Sequence, residues 1–162
     1  MKKGIIFLFI TVILLTSGCT KNENKVSNQK LVHEHCTRLA TAKEGINVNL
    51  SYEIYYKGEV LTKLEATEEV ETEDLEVQNQ YENAYKSIHS NYKGLKYYNT
   101  SVTKKDNTIT SKIIIDYEKI DVDKLIEIEG EEDNIFENKI PKVDKWKSLA
   151  KSIGTTCEKV TE

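Results

Sequence analysis

The clearest structural pattern in the sequence is in VNLSYEIYYKGEVLTKLEAT, residues 48–67. In residues 48–56 every even position is apolar, whereas the odd positions 49, 51 and 53 are polar. A period of two is typical of a strand that buries one face. Residues 57–59 include a glycine, and residues 60–67 alternate again. The stretch therefore predicts a β-hairpin with one apolar face.

On both sides of this hairpin, the spacing of apolar residues predicts the other elements. Residues 72–92 repeat apolar positions every three or four residues, which predicts a helix capped by Thr72. The remaining predictions are a first strand at 36–43, a second hairpin at 95–103 and 108–117, helices at 121–128 and 142–153, and a last strand at 155–160. Strands joined by tight turns and then helices indicate an α+β fold. We expect a single domain over residues 32–162, with an antiparallel sheet built from hairpins and two main helices packed on one face.

The start of the chain has the pattern of an export signal. A basic start is followed by the apolar run GIIFLFITVILL, residues 4–15, and then by small residues. The sequence LTSGC, residues 15–19, resembles the lipobox of bacterial lipoproteins, which implies cleavage after Gly18 and a lipid on Cys19. We therefore predict a signal peptide at 1–18 and a flexible, polar tether at 19–31. An uncleaved membrane anchor is the alternative, although the run is short for spanning a bilayer.

The three cysteines, Cys19, Cys36 and Cys157, are an odd number for an exported protein. If Cys19 carries the lipid, an even pair remains. Export permits disulfides, so we predict a bridge between Cys36 and Cys157. Two free, buried thiols are the alternative, because spacing alone proves no contact.

The charge of the chain argues against one class of partner. The formal net charge is −4, and removing residues 1–18 also removes Lys2 and Lys3, which makes the mature chain more acidic. An acidic domain lacks the main driving force for binding nucleic acid and is not drawn to an anionic membrane surface. We therefore expect attachment to the membrane through the lipid on Cys19 and no nucleic-acid partner.

The order of motifs resembles a known family. The residues that carry the resemblance are Cys36-Thr37-Arg38, the hairpin containing YYKGEVLTK, a helix ending in YKGLK, a second hairpin that leads into DYEKIDVDKL, and a closing amphipathic helix. This order is similar to that of the YehR-like bacterial lipoproteins, a family of unknown function. The resemblance implies a small sheet-and-helix lipoprotein domain and supplies no catalytic residues.

One cluster has the composition of metal ligands. His33, Glu34, His35 and Cys36 form the sequence HEHC, and imidazole and thiolate both suit zinc. A tetrahedral site needs a distant partner, for which His89 is the only other histidine. The alternative, which we favour, is a polar segment leading into the first strand. A Cys–His nucleophile is disfavoured because a disulfide would consume the thiol.

Residues 121–132 place acids at three positions of a calcium loop, but Leu125 and Ile126 fail at the fifth and sixth. A helix with an acidic face is the better interpretation, and loop-mediated cation binding at 129–133 is the alternative. The sequence contains no G-x-S-x-G, phosphate-loop or H-E-x-x-H motif. We therefore expect neither an enzyme nor a cofactor.

We expect a lipid-anchored, non-enzymatic module that binds a protein or small molecule on the extracytoplasmic face of the cell membrane. The Lys, Ile and Asn usage favours a Gram-positive source. Tyr55 and Tyr98 are predicted to point outward as candidate binding residues. The alternatives are a metal-binding or hydrolytic surface protein that uses the HEHC cluster, and a structural partner within a membrane complex.

Overall fold

The predicted hairpin is the centre of a larger sheet. Its strands, β2 (Ile46–Lys57) and β3 (Val60–Glu71), pair antiparallel, and Gly58 in the turn between them has a φ of 58°. That left-handed conformation suits glycine, which has no Cβ to clash with the backbone. The register shifts between Tyr55 and Tyr56, so that an extra residue is accommodated on β3. The hairpin prediction is confirmed.

This computed structural model describes residues 29–130 and 135–161, and the predicted signal peptide, Cys19 and most of the predicted tether lie outside them. Within this part of the chain, six strands form one antiparallel sheet in the order β4-β5-β3-β2-β1-β8. The other strands of this sheet are β1 (Leu31–Lys43), β4 (Tyr98–Lys105), β5 (Thr108–Asp116) and β8 (Thr156–Lys159), and β4 and β8 lie at its edges. A two-stranded ribbon pairs β6 (Phe136–Glu137) with β7 (Ile140–Pro141).

The three described helices all pack on one side of the sheet. They are α1 (Leu75–Ser90), α2 (Val122–Glu129) and α3 (Val143–Ser152). The larger core cluster joins the sheet to α2 and α3, and its most enclosed side chains are Ile54, Leu61 and Leu125. A smaller cluster packs Tyr85 of α1 against Val48, Val70 and Ile109. The predicted α+β class, single domain and one-sided helical layer agree with the structure.

The start of α1 differs from the prediction. Asp74, rather than Thr72, caps the helix, because its side chain accepts hydrogen bonds from the backbone N–H groups of Glu76 and Val77. Thr72 instead accepts a bond from the backbone of Asp74. The cap satisfies N–H groups that have no partner within the helix.

The first strand is longer than predicted, because it begins at Leu31 rather than at residue 36. Its start contains the HEHC cluster, which is therefore part of the sheet. Strand β8 pairs with the middle of β1, where Cys36 lies opposite Cys157. These two residues form a disulfide with a Cα–Cα distance of 4.0 Å. Among the described helices, none has both the length and the apolar character needed to cross a bilayer.

Candidate functional site

We call the side of the sheet opposite the three described helices the open face. Side chains alternate along a strand, so Glu34 and Cys36 of β1 point into the helical layer while His33 and His35 point the other way. The open face thus collects the odd-numbered residues of β1, of β2 and, beyond the register shift, of β3 from Lys63 onward, and most of these residues are polar. None of the three helices in the described part of the chain covers it.

At one end of this open face, two histidines contact one carboxylate. His33 Nε2 lies 2.6 Å from Glu53 Oε2, and His35 Nδ1 lies 2.6 Å from Glu53 Oε1. The strands explain this geometry, because His35 is directly opposite Glu53 and His33 is opposite Tyr55. The exposed fraction of the side chain is 30% for His33, 45% for His35 and 35% for Glu53. Solvent and solutes can therefore reach all three.

The contacts continue onto the neighbouring strands. The His33 ring stacks on Tyr55, with centroids 4.3 Å apart, and Lys63 Nζ lies 5.2 Å from the Tyr55 centroid. Lys63 also binds Glu65 at 2.7 Å, and Lys112 lies 3.5 Å from the same carboxylate. The hydrogen bond from Lys63 holds the pKa of Glu65 below its usual value. We call seven residues the open-face cluster: His33, His35, Glu53, Tyr55, Lys63, Glu65 and Lys112.

Behind this cluster, on the helical side, lies a buried ionic network. Tyr56 donates a hydrogen bond of 2.6 Å to Glu34, and Lys147 Nζ lies 2.7 Å from the other carboxylate oxygen. Burial by itself would raise the pKa of Glu34, but the hydrogen bonds and positive charge of Lys147 outweigh it and hold the pKa below its usual value. This network joins β1, β2 and α3, so we assign it to stability.

The HEHC cluster does not form a single site. His33 and His35 belong to the open face, whereas Glu34 belongs to the buried network and Cys36 to the disulfide. A site built from all four residues is therefore excluded by strand alternation, and a Cys36 nucleophile by the disulfide.

The third histidine that the alternative metal site would need lies elsewhere. His89 lies on α1, on the helical side of the sheet, where its Nε2 is 3.1 Å from Ser111 Oγ. Burial lowers the pKa of His89. It lines an open cleft of about 490 Å³ between α1 and β4. The sheet separates it from His33 and His35, so a three-histidine site is wrong.

The two predicted surface tyrosines have different environments. Tyr55 lies on the open face and is half-buried by His33. The prediction for Tyr98 is wrong, because this side chain is only 9% exposed and stacks on Tyr92 with centroids 4.1 Å apart. The reason is the backbone of Tyr97, whose φ of 66° turns the chain so that β4 begins with Tyr98 facing the core.

Two further cation-site hypotheses can be compared with the structure. The calcium-loop segment forms α2, with Asp121 as its cap and Gly130 at its end, as the helical interpretation predicted. Part of its acidic continuation, residues 131–134, lies outside the described residues. Within the described ranges, one group of at least three potential ligand residues has its ligand atoms within 4.8 Å of one another: Glu34, Cys36 and Cys157. Both of its sulfurs are already bonded in the disulfide.

Sequence reasoning missed Glu53 and Lys63 as partners of the histidines and of Tyr55. Side chains alternate between the two faces of β2, so Tyr52, Ile54 and Tyr56 lie on the helical side and Glu53 lies on the opposite face. The apolar pattern of one strand does not predict the register between β1 and β2. This register determines which residues of the two strands lie side by side.

Comparisons with known proteins agree with the fold. The NMR structure of the YehR protein of E. coli matches with a TM-score of 0.57 and 16% identity over 83% of this chain and 96% of that chain. The NMR structure of a protein from Streptococcus pneumoniae TIGR4 matches with a TM-score of 0.52 and 15% identity over 98% and 97%. At these identities the likeness concerns the fold alone. A search of curated proteins found no match.

The family comparison covers most of the folded part. The family described as a protein of unknown function, DUF1307, matches residues 36–151. The matched residues run from Cys36 in β1 to Lys151, the second-last residue of α3. They include most of the sheet and nearly all of the three helices. The resemblance predicted from the sequence is thereby confirmed, and the chain belongs to the DUF1307 family of unknown function, with the fold seen in YehR.

Proposed function

We propose that this protein is a non-enzymatic binding module, anchored by a lipid on Cys19 to the extracytoplasmic face of the cell membrane. The observation that carries the proposal is the open face of the sheet. All three described helices pack on the other side, and the uncovered side has histidine, carboxylate, tyrosine and lysine side chains in mutual contact. Aromatic side chains are enriched at binding surfaces, and a rigid sheet holds the side chains of such a surface in fixed positions.

The position of the cluster suits this function. Strand β1 begins at Leu31, and His33 is two residues further along. About a dozen residues separate Cys19 from Leu31, and a chain of that length reaches at most roughly 40 Å. A ligand bound at the open-face cluster would therefore be held near the membrane surface.

The anchor is tested by intact mass spectrometry of the protein purified from its native membrane. We expect the mass of a chain that has lost residues 1–18 and gained a diacylglyceryl group. The Cys19→Ser variant lacks the thiol that receives the lipid, so it should remain uncleaved and gain no lipid mass. A wild-type protein that retains Met1 and carries no lipid would contradict the anchor.

The binding surface is tested by photocrosslinking in cells of the native organism. A benzoylphenylalanine at position 55 replaces one aromatic side chain of the open face by another. The matched control places it at Ile88, which is 50% exposed on α1. We expect a discrete crosslinked species from position 55 only. Equal labelling from both positions, or none from position 55, would contradict a ligand on the open face.

A further inference from the structure

We propose that a groove on the helical side of the sheet, between α1 and α3, binds an α-amino acid with an apolar side chain. The carboxylate of this zwitterion contacts Arg38, and its ammonium group contacts Glu68. Both protein side chains point away from the open face, because they occupy even positions of β1 and β3. The groove is therefore a second binding site, which goes beyond the proposed function and does not depend on it.

The burial of the sheet shows where the groove lies. Residues paired on adjacent strands form rows across the sheet, and the two core clusters on its helical side each contain one such row. The members of these two rows are at most 8% exposed: Val48, Val70 and Ile109 in the cluster with α1, and Ile54, Leu64 and Ile115 in the cluster with α2 and α3. The helices thus cover the sheet well on both sides of a middle strip.

Two further rows lie in this middle strip, between the buried ones. On β1, β2 and β3, five of their residues are only half-buried: Arg38, Leu50, Tyr52, Ala66 and Glu68. Residues in the middle of a sheet are buried wherever a helix packs over them, so their partial exposure marks a gap in the helical layer. We call these five residues the groove floor.

The groove floor carries one positive and one negative charge. Arg38 is the only arginine of the chain, and its planar fork of donors suits a carboxylate better than a lysine does. The ion pairs of the described residues include neither Arg38 nor Glu68. Burial raises the pKa of Tyr52, the charge of Glu68 adds to this effect, and the charge of Arg38 opposes it. Both charges therefore lie near Tyr52 without neutralising each other in an ion pair.

The spacing of the two charges fits an α-amino acid. Arg38 and Glu68 are paired with Leu50 from opposite sides, so their Cα atoms are two strand spacings, or about 10 Å, apart. The ammonium nitrogen and a carboxylate oxygen of an α-amino acid are about 3 Å apart. With a hydrogen bond of about 2.9 Å at each end, the ligand spans about 9 Å between the two protein groups.

The rest of the groove floor determines the class of amino acid. Leu50, Ala66 and the ring of Tyr52 offer apolar surface, and the Tyr52 ring is fixed by an edge contact to Trp146 of α3, with centroids 5.3 Å apart. A simple anion would be repelled by Glu68, and a simple cation by Arg38. A zwitterion complements both charges, and its apolar side chain can pack on the surface between them.

The test is an NMR titration of the ¹⁵N-labelled, full-length protein in detergent with L-valine, L-leucine, L-methionine and L-phenylalanine in turn. We expect saturable shifts of the groove-floor amides with at least one of the four. The N-acetyl derivative of the best ligand lacks the ammonium charge, and its amide lacks the carboxylate. Each should bind at least about 10-fold more weakly, because one charge-assisted hydrogen bond is lost. This comparison uses the wild type and so does not depend on the folding of a variant.

The chain provides a matched control on the same strand. Arg38→Gln and Glu68→Gln should each weaken binding at least about 10-fold. Glu69→Gln removes the neighbouring carboxylate, which points to the open face, and should leave the affinity unchanged. No saturable shift with any of the four amino acids, equal binding of the derivatives, or an equal loss in Glu69→Gln would overturn the groove site. Crosslinking from position 55 reports on the open face, so the two proposals can fail separately.

Discussion

Among single residues, Lys147 is the side chain on the surface of α3 whose replacement should reduce the free energy of unfolding the most. Among the described contacts it is the ion-pair partner of the buried Glu34 carboxylate, at 2.7 Å, and Lys159 adds a weaker electrostatic attraction. Lys147→Met leaves that carboxylate with the hydrogen bond from Tyr56 and the more distant charge of Lys159, and removing one member of a buried pair exposes the desolvation cost of the other. Because Lys147 is 32% exposed, we expect a loss of about 2 kcal/mol in the free energy of unfolding, measured in urea.

The matched control is Lys151→Met on the same helix, where the lysine is exposed and makes no ion pair among those described. Such a surface substitution should change the free energy of unfolding by no more than about 0.5 kcal/mol. Equal effects of the two variants would show that the Glu34 network contributes no stability.

Glu34 itself should give stability a dependence on pH. Its pKa in the folded state is lowered, since the bonds from Lys147 and Tyr56 outweigh the effect of burial. A carboxyl with a lowered folded pKa contributes stability above its unfolded pKa and loses it as pH falls through the folded value. We therefore expect Glu34→Gln to be less stable than wild type at pH 7, with a difference that shrinks below about pH 4.5. A difference that stays constant from pH 7 to 3 would contradict this linkage.

At the scale of elements, the capping of α1 rests on one side chain. Asp74→Ala leaves the N–H groups of Glu76 and Val77 without their acceptor and should cost about 1 kcal/mol in the free energy of unfolding. Asp74→Asn keeps an acceptor oxygen and loses only the charge near the helix N-terminus, so its cost should be about half or less. Equal costs for both variants would mean that charge, and not the hydrogen bonds, stabilises this end.

The elements also show how far sequence patterns reach. The period of two in residues 48–67 predicts β2 and β3 because one face of each strand is buried. The same logic predicts Ile109 and Ile115 as core residues of β5. Residues 31–35 carry no such signal, since their histidines and Glu34 are polar on both faces, and the start of β1 was therefore missed. The open-face cluster depends on pairing between strands, which local patterns do not encode.

At the scale of the whole molecule, the disulfide joins the first strand of the sheet to the last. Cys36 and Cys157 are 121 positions apart in a chain of 162 residues, so the bond restricts most of the unfolded chain. By loop entropy, replacing both cysteines with serine should cost up to about 5 kcal/mol in the free energy of unfolding. Strand β8 has four residues and pairs only with β1, so its amides should lose the most protection from hydrogen exchange.

Urea unfolding and hydrogen exchange of the double variant measure these effects. The amides of β3, at the middle of the sheet, are the internal control, because they should exchange only through global unfolding. Unchanged stability together with unchanged protection of β8 would show that β8 is held by its backbone pairing and the disulfide adds nothing.

The same bond decides how the molecule responds to a pulling force. A protein tethered by its N-terminus and pulled at its C-terminus carries the load along β1 to Cys36, across the sulfur–sulfur bond, and out through Cys157. Everything between the two cysteines is bypassed and feels no tension. In single-molecule stretching, the oxidised protein should lengthen only by its short end segments. After reduction, unfolding should release on the order of 400 Å of additional contour length, from 121 positions at 3.3–3.6 Å each.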